Sequence, residues 1–205
     1  MKSIFCGGKF KLNPDKSLSL EQRIKDDYRV VLLKDVNKFI YAHSDSIIVD
    51  QFKYKGTFYC EKASNGEYTS TECNTVLNEE YKALSESDIF LCVFDDTFSV
   101  GTVVELNWAV NMNKEIIICF KKKDDSPYNI KSEYWFAIVD AINRTKNVKI
   151  FPFNTNEELL DLILSKKIFD YHKIEEVSIF LKSKEEKYLM KQIILNVNIY
   201  IYKYL

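Results

Sequence analysis

Apolar residues in this chain gather into short unbroken runs, and the stretches between them carry hydrophobic positions at helical spacing. Such runs suit strands covered on both faces, so the alternation predicts a parallel α/β sheet. The expected strands are Lys2 to Cys6, closed by Gly7-Gly8, then Ile89 to Phe94, Glu115 to Phe120, and Lys149 to Phe151 ending at Pro152. Helices are expected from Ser70-Thr71, both good N-caps, to about Glu86, then from Gly101 to Met112, Ser132 to Asn143 and Asn156 to Ser165. The early chain is less regular, with a short helix from Leu18 to Asp27, a strand from Arg29 to Leu33 and another from Ile47 to Val49. Tyr54 to Ser70 mixes aromatics, Gly, Ser, Thr and charge without a period and reads as a substantial loop, as does the charged stretch Lys121 to Pro127. Beyond Lys173 a helical pattern and the charge run Lys182 to Lys187 give way to alternation from Asn196 to Tyr202, suiting a docking or subunit-contact element.

One helix carries an acid in an unexpected place. Between Gly101 and Met112 the polar face is Asn107 and Asn111, and Glu105 points nearly the opposite way, among Gly101, Thr102, Trp108, Ala109 and Met112. A carboxylate aimed inward needs a reason. It either pairs with a buried Lys or Arg, or it faces a cleft as a nucleophile or as a partner for developing positive charge. The preceding strand and the loop Asp95 to Ser99 favour a cleft, because ligands of open α/β sheets bind at such strand-to-helix junctions. So close to a helix start, the dipole and unpaired backbone N–H groups would favour the ionised form of Glu105. On the preceding helix the apolar stripe is Cys73, Val76, Leu77, Tyr81 and Leu84; Glu80 falls inside it and Glu79 outside. Glu80 is thus a second inward carboxylate, or a stripe-edge side chain that snorkels to water.

Composition narrows the classes. The 205 residues, 46% hydrophobic, suffice for one well-buried α/β domain with an appended element. With 29 Lys and Arg against 30 Asp and Glu, there is no global electrostatic case for nucleic acid or an acidic membrane surface. Cys6, Cys60, Cys73, Cys92 and Cys119 lack C-x-x-C spacing and read as reduced core cysteines of an intracellular protein. His43 and His172 have no paired spacing, so no metal site is expected. Met1 to Phe10 lacks the apolar core of a secretory signal and no run is long enough for a membrane span, so a soluble, cytoplasmic protein is expected. No internal repeat, Walker-type phosphate loop, complete Gly-rich dinucleotide fingerprint or Ser nucleophile elbow is present. Asp95-Asp96 invites comparison with a phospho-accepting receiver domain, but a receiver has its acid pair after the first strand, where this chain has Gly7-Gly8.

The run Ser87-Asp88-Ile89 to Val93, followed by Gly101-Thr102-Val103-Val104-Glu105-Leu106-Asn107-Trp108-Ala109 and Lys114 before a buried strand, resembles the nucleoside 2-deoxyribosyltransferase family. The opening Ile4-Phe5-Cys6-Gly7-Gly8 does too. The likeness covers roughly the first 150 residues, strong from Glu80 to Phe120 and weak between Lys11 and Gln51. It implies a flavodoxin-like, Rossmann-like doubly wound sheet and N-glycosidic bond chemistry, in which the motif glutamate, here Glu105, attacks the anomeric carbon of a nucleoside. A covalent sugar ester follows, which an incoming base or water resolves. Cleavage passes through an oxocarbenium-like state that a nearby carboxylate stabilises. The family also carries an acid eight positions before the aspartate that opens the strand; eight before Asp88 is Glu80, the residue the helical wheel had singled out.

The resemblance implies substrate-binding roles for Phe5, Gly7, Gly8, Ser99, Gly101 and Thr102 beside the catalytic Glu105 and Glu80, with no metal or organic cofactor. Phe5 stands where the family has a tyrosine touching the nucleophile, so another donor or a water replaces that hydroxyl or activity is weakened. Asn107 replaces the glycine that usually follows Glu-Leu. Ser99 stands where deoxyribosyltransferases carry an aspartate for sugar hydroxyls and related 2-deoxynucleoside 5-phosphate N-hydrolases carry a serine for the phosphate. A neutral hydroxyl at a helix N-terminus suits an anion, and it equally suits a plain N-cap. Phe58 and Tyr59 can wall a nucleobase or anchor a loop. Trp135 and Asp140 lie in a region that reaches a neighbouring subunit's site in relatives. The expected organisation is a catalytic α/β domain over residues 1–155 and a C-terminal helical extension over 156–205, in a homo-oligomer acting on nucleosides or nucleotides and free nucleobases. The alternatives are a 5-monophosphate N-glycosidase and a non-catalytic nucleotide-binding module.

Overall fold

The computed structural model of the chain describes residues 2–9, 11, 13–35, 46–49, 52–55, 70–96, 99–122, 132–165 and 167–170. Its strands are β1 (Lys2–Gly8), β2 (Ser46–Val49), β3 (Phe52–Lys55), β4 (Ile89–Phe94), β5 (Glu115–Lys121) and β6 (Val148–Phe153). They form one sheet in the order β2-β3-β1-β4-β5-β6. Among the described residues, only β2 and β3 pair antiparallel; every other neighbouring pair is parallel. With the β2 edge set aside, the parallel strands run second, first, third, fourth, fifth, which is the flavodoxin-like doubly wound order that the strand–helix alternation predicts. In that order the chain reverses its winding between β1 and β4, and doubly wound sheets take ligands in the crevice outside the carboxyl ends of the strands at such a reversal.

The helices are α1 (Leu20–Ile24), α2 (Tyr28–Leu33), α3 (Ser70–Ser85), α4 (Val100–Asn111), α5 (Ser132–Arg144), α6 (Asn156–Leu164) and α7 (Lys167–Asp170). Alternate residues of the central strands serve opposite layers. Ile4 and Cys6, Ile89, Leu91 and Val93, and Ile117 and Cys119 join one core with Ile24, Tyr28, Leu32 and Leu33 of α1 and α2, Leu159 and Ile163 of α6, and Ile168 of α7. The intervening Phe5, Phe90, Cys92, Phe94, Ile116, Ile118 and Phe120 are equally buried on the face carrying α4. Burial on both faces explains why these strands read as continuous hydrophobic runs. Helices α6 and α7 belong to the same compact unit as the sheet, Met1–Asp170.

Three early expectations change. Arg29 to Leu33 is helix α2, not a strand: Asp27 caps it through its side chain, and Lys34 closes it in the left-handed region at φ 55°. Its sequence hides the period because Arg29, the one charged residue in it, is itself buried. The helix expected from Leu18 to Asp27 is confined to Leu20–Ile24, set by a capping box between Ser19 and Gln22. Strand β3 takes up Tyr54 and Lys55 from the expected loop, whose interior from 56 to 69 lies outside the described residues.

At the far side, β6 runs through Pro152, which stands opposite Phe120 of β5, and the Lys122 N–H donates to the Phe153 carbonyl at 2.8 Å. Among the described residues, no helix is long and apolar enough to cross a membrane.

Candidate active site

Strand β1 ends beside the crevice in two glycines with different jobs. A Cβ on Gly7 would collide with Glu105 Oε2 and come within 2.9 Å of the Phe90 ring, so the missing side chain makes room for the carboxylate. Gly8 adopts φ 144°, where L side chains are strained, and a Cβ there would sit 3.0 Å from the Val93 carbonyl. Phe5, two residues before Gly7 on the same strand face, is wholly buried with its ring centroid 6.0 Å from that of Phe90. It forms a wall beneath the site and contributes no hydroxyl. The Tyr28 hydroxyl is committed elsewhere, donating to the Gly7 carbonyl at 2.8 Å.

Glu105 is 7% exposed, with Asn107 and Asn111 on the exposed face of α4, as the wheel predicts. Its Oε2 is a buried oxygen with no hydrogen-bond partner among the described residues. An unsatisfied buried acceptor costs on the order of 1–3 kcal/mol, which marks a position kept for something other than stability. Burial pushes the Glu105 pKa up to about 8; the charge of Glu80 adds to the rise and that of Arg29 opposes it. The start of α4 favours the ionised form by a fraction of a charge, and desolvation of the whole carboxylate outweighs it. Glu80, half-buried on α3, is likewise pushed up to about 7 by burial, again against Arg29. The two acids interact, so they titrate as a pair. Neighbouring Cys6 is driven to about 12 and Cys92 well above its ordinary value by burial, so both remain thiols.

The α3 stripe behaves differently from expectation. Leu84 is fully buried, but Leu77 and Tyr81 are about half exposed, and Tyr81 packs edge-on against Trp108 of α4 at 5.1 Å. Glu80 therefore lies between exposed apolar neighbours.

At the start of α4, Ser99 is the N-cap: its hydroxyl accepts from the Thr102 N–H at 3.4 Å and from the Thr102 hydroxyl at 2.9 Å. The Ser99 N–H in turn donates to the Tyr134 hydroxyl at 3.1 Å, and the Tyr134 ring packs on Phe94 at 4.4 Å. Thr102 is buried and Gly101 exposed. Asp140 stands apart from this cluster, paired with Arg144, which also bonds Asn107 and Asn111 and so ties α5 to α4. Phe58, Tyr59 and the side chain of Trp135 lie outside the described residues, as does the stretch from Lys173 onward.

Sequence reasoning overlooked Asp27, Tyr28 and Arg29, which gather under the same strand end. The available signal was Asp-x-Arg at a helix start, where the acid caps and the cation folds back onto it.

No family model and no curated protein matches the chain. Solved structures resemble it. The CMP N-glycosidase BcmB of Clostridium botulinum is 19% identical, with 80% of this chain and 99% of that one covered, at a TM-score of 0.43. A variant of SsGBP is 13% identical over 82% of this chain and 55% of its own, at 0.45. The translation elongation factor SelB of Methanococcus maripaludis is 14% identical over 84% and 35%, at 0.41. Such scores leave the functional reading to the residues themselves.

Proposed function

We propose that the chain is a nucleoside 2-deoxyribosyltransferase-like enzyme that cleaves the N-glycosidic bond of (deoxy)nucleosides through Glu105 and passes the sugar to another base. The observation that carries the reading is the unpartnered Glu105 oxygen in the space left by Gly7, with Glu80 close enough to disturb its ionisation, at the crevice where doubly wound sheets bind ligands. In the ionised state one Glu105 oxygen bonds to the anomeric carbon as the bond from that carbon to the base nitrogen breaks. The released electron pair goes to the base, which takes a proton from Glu80. An incoming base then attacks the same carbon, frees Glu105 and returns a proton to Glu80; water in its place gives hydrolysis. The reaction needs a proton on Glu80 and Glu105 bare, so substrate must favour that arrangement over its reverse.

Ser99 favours a second reading, a 5-monophosphate N-glycosidase, since a neutral hydroxyl at the start of α4 repels no phosphate. Exposed Leu77, Tyr81, Val100, Val104 and Phe136 on α3, α4 and α5 support self-association through that helical layer, which sedimentation at graded concentrations would test. The deciding experiment incubates the protein with deoxynucleosides and their 5-monophosphates, with and without a second free base, and separates the bases by chromatography. New nucleoside formed only with acceptor supports transfer; free base from monophosphates alone supports the hydrolase. No release from any substrate leaves a binding module.

A further inference from the structure

The strongest unexplained feature is an ion pair. Asp27 and Arg29 are each 1% exposed, and they meet as a fork: Arg29 Nε donates to Asp27 Oδ1 and Nη2 to Oδ2, both at 2.7 Å. Asp27 also accepts from the backbone N–H of Arg29 at 2.9 Å and of Lys11 at 3.0 Å. Two further guanidinium N–H groups reach the end of β1 and the next residue, donating to the carbonyls of Gly8 at 3.2 Å and Lys9 at 3.4 Å. A buried pair is weak evidence for stability, because apolar residues of similar volume commonly serve as well or better. This one sits where charge matters: the Gly8 it clamps follows Gly7, the residue that abuts Glu105.

We propose that Arg29 is a positioning residue for the carboxylate site: locked by Asp27, it clamps the Gly8–Lys9 strand end and supplies buried positive charge to Glu80 and Glu105. The proposal deepens the glycosidic reading and rests on it for its consequence in catalysis, while the electrostatic part stands apart from any activity. Among the described residues, the guanidinium lies against Asp27 and the Tyr28 ring, and its charge acts on Cys6, Glu80 and Glu105. Cys6 and Cys92 stay protonated, so no thiolate offsets the charge that Arg29 sets against the two glutamates. Arg29 opposes the rise that burial imposes on both glutamates. It thereby keeps a usable fraction of Glu105 ionised near neutral pH. Lysine, a point charge without a fork, can keep the charge and lose the clamp.

The test is a carboxyl carbon NMR titration of the full chain, with the two site signals assigned by their loss in Glu105→Gln and Glu80→Gln. In Arg29→Gln both titrations should move upward by about one unit, a tenfold loss of ionised carboxylate at fixed pH, and Arg29→Lys should restore most of it. The double variant Asp27→Asn with Arg29→Gln leaves no orphaned charge and should show the same upward move. In the wild-type protein the Arg29 Nε–H resonance should follow the glutamate titrations with the same midpoints, which needs no variant to fold. If base release occurs, Arg29→Lys should lower kcat more than it raises KM and leave the acidic limb of the pH profile in place. A folded Arg29→Gln with unmoved titrations, or a flat Arg29 resonance, would overturn the proposal. Absence of base release from every substrate with the titrations behaving as expected would count against the glycosidic reading alone.

Discussion

Replacing Glu105 by Gln should make the protein more stable, by a margin that grows with pH. The folded chain holds the Glu105 proton up to about pH 8, against an ordinary carboxyl value of 4.5, so it binds that proton more tightly than the unfolded chain does. Stability from this group is therefore complete below about pH 4.5 and drains away as pH rises toward 8. The slope is about 1.4 kcal/mol per pH unit, so between pH 5 and pH 7 wild type loses roughly 3 kcal/mol that the Gln variant keeps. Gln fills the same space above Gly7 without ionising. In a chain of this size that difference corresponds to about 6–12 °C in melting midpoint at pH 7 relative to pH 5. Thermal unfolding of both proteins at pH 5, 6, 7 and 8 reads it directly. A midpoint difference constant across that range would refute the claim that Glu105 is desolvated, and with it the physical basis of the site. The same variant should lose base release by several orders of magnitude; activity within tenfold of wild type would remove Glu105 as nucleophile.

Other substitutions probe the surroundings. Gly7→Ala places a methyl group against Glu105 Oε2 and Phe90 and should cost roughly 1–3 kcal/mol by urea denaturation while lowering kcat; unchanged values for both would show that the space is not tight. Glu80→Gln should slow substrates with poor leaving bases more than activated ones, since it removes proton donation and leaves attack on the sugar, and equal slowing would make Glu80 structural. Ser99→Asp should shift the ratio of kcat/KM for monophosphate over nucleoside toward the nucleoside by about tenfold through repulsion of the dianion, whereas an unchanged ratio leaves Ser99 as a helix cap.

Much of the frame was legible because its signals are local. Ile89–Phe94 occupies the expected positions, since a strand buried on both faces tolerates no polar residue until it ends. Glu105 was legible as a contradiction between its charge and its helical face. Helix α2 was not, because a run whose only charge is neutralised inside the protein shows no amphipathic period. The fork between Asp27 and Arg29 escaped for a related reason: it joins a cap to its second neighbour across a bend in the backbone, a spacing absent from both helical and strand templates. Leu77 and Tyr81 misled in the other direction, since periodicity reports which residues share a face and is silent on whether anything covers it.

Pro152 decides what the outer margin of the sheet can recruit. In an extended strand a residue turns its N–H and C=O to one side and its neighbour turns them to the other, and Phe153 offers its carbonyl to β5. The slot of Pro152 therefore opens outward, where its ring stands in place of a donor. A foreign strand laid along β6 would meet a break in its ladder at that point. Among the described strands, this margin is thus poorly suited to templating a neighbour edge to edge.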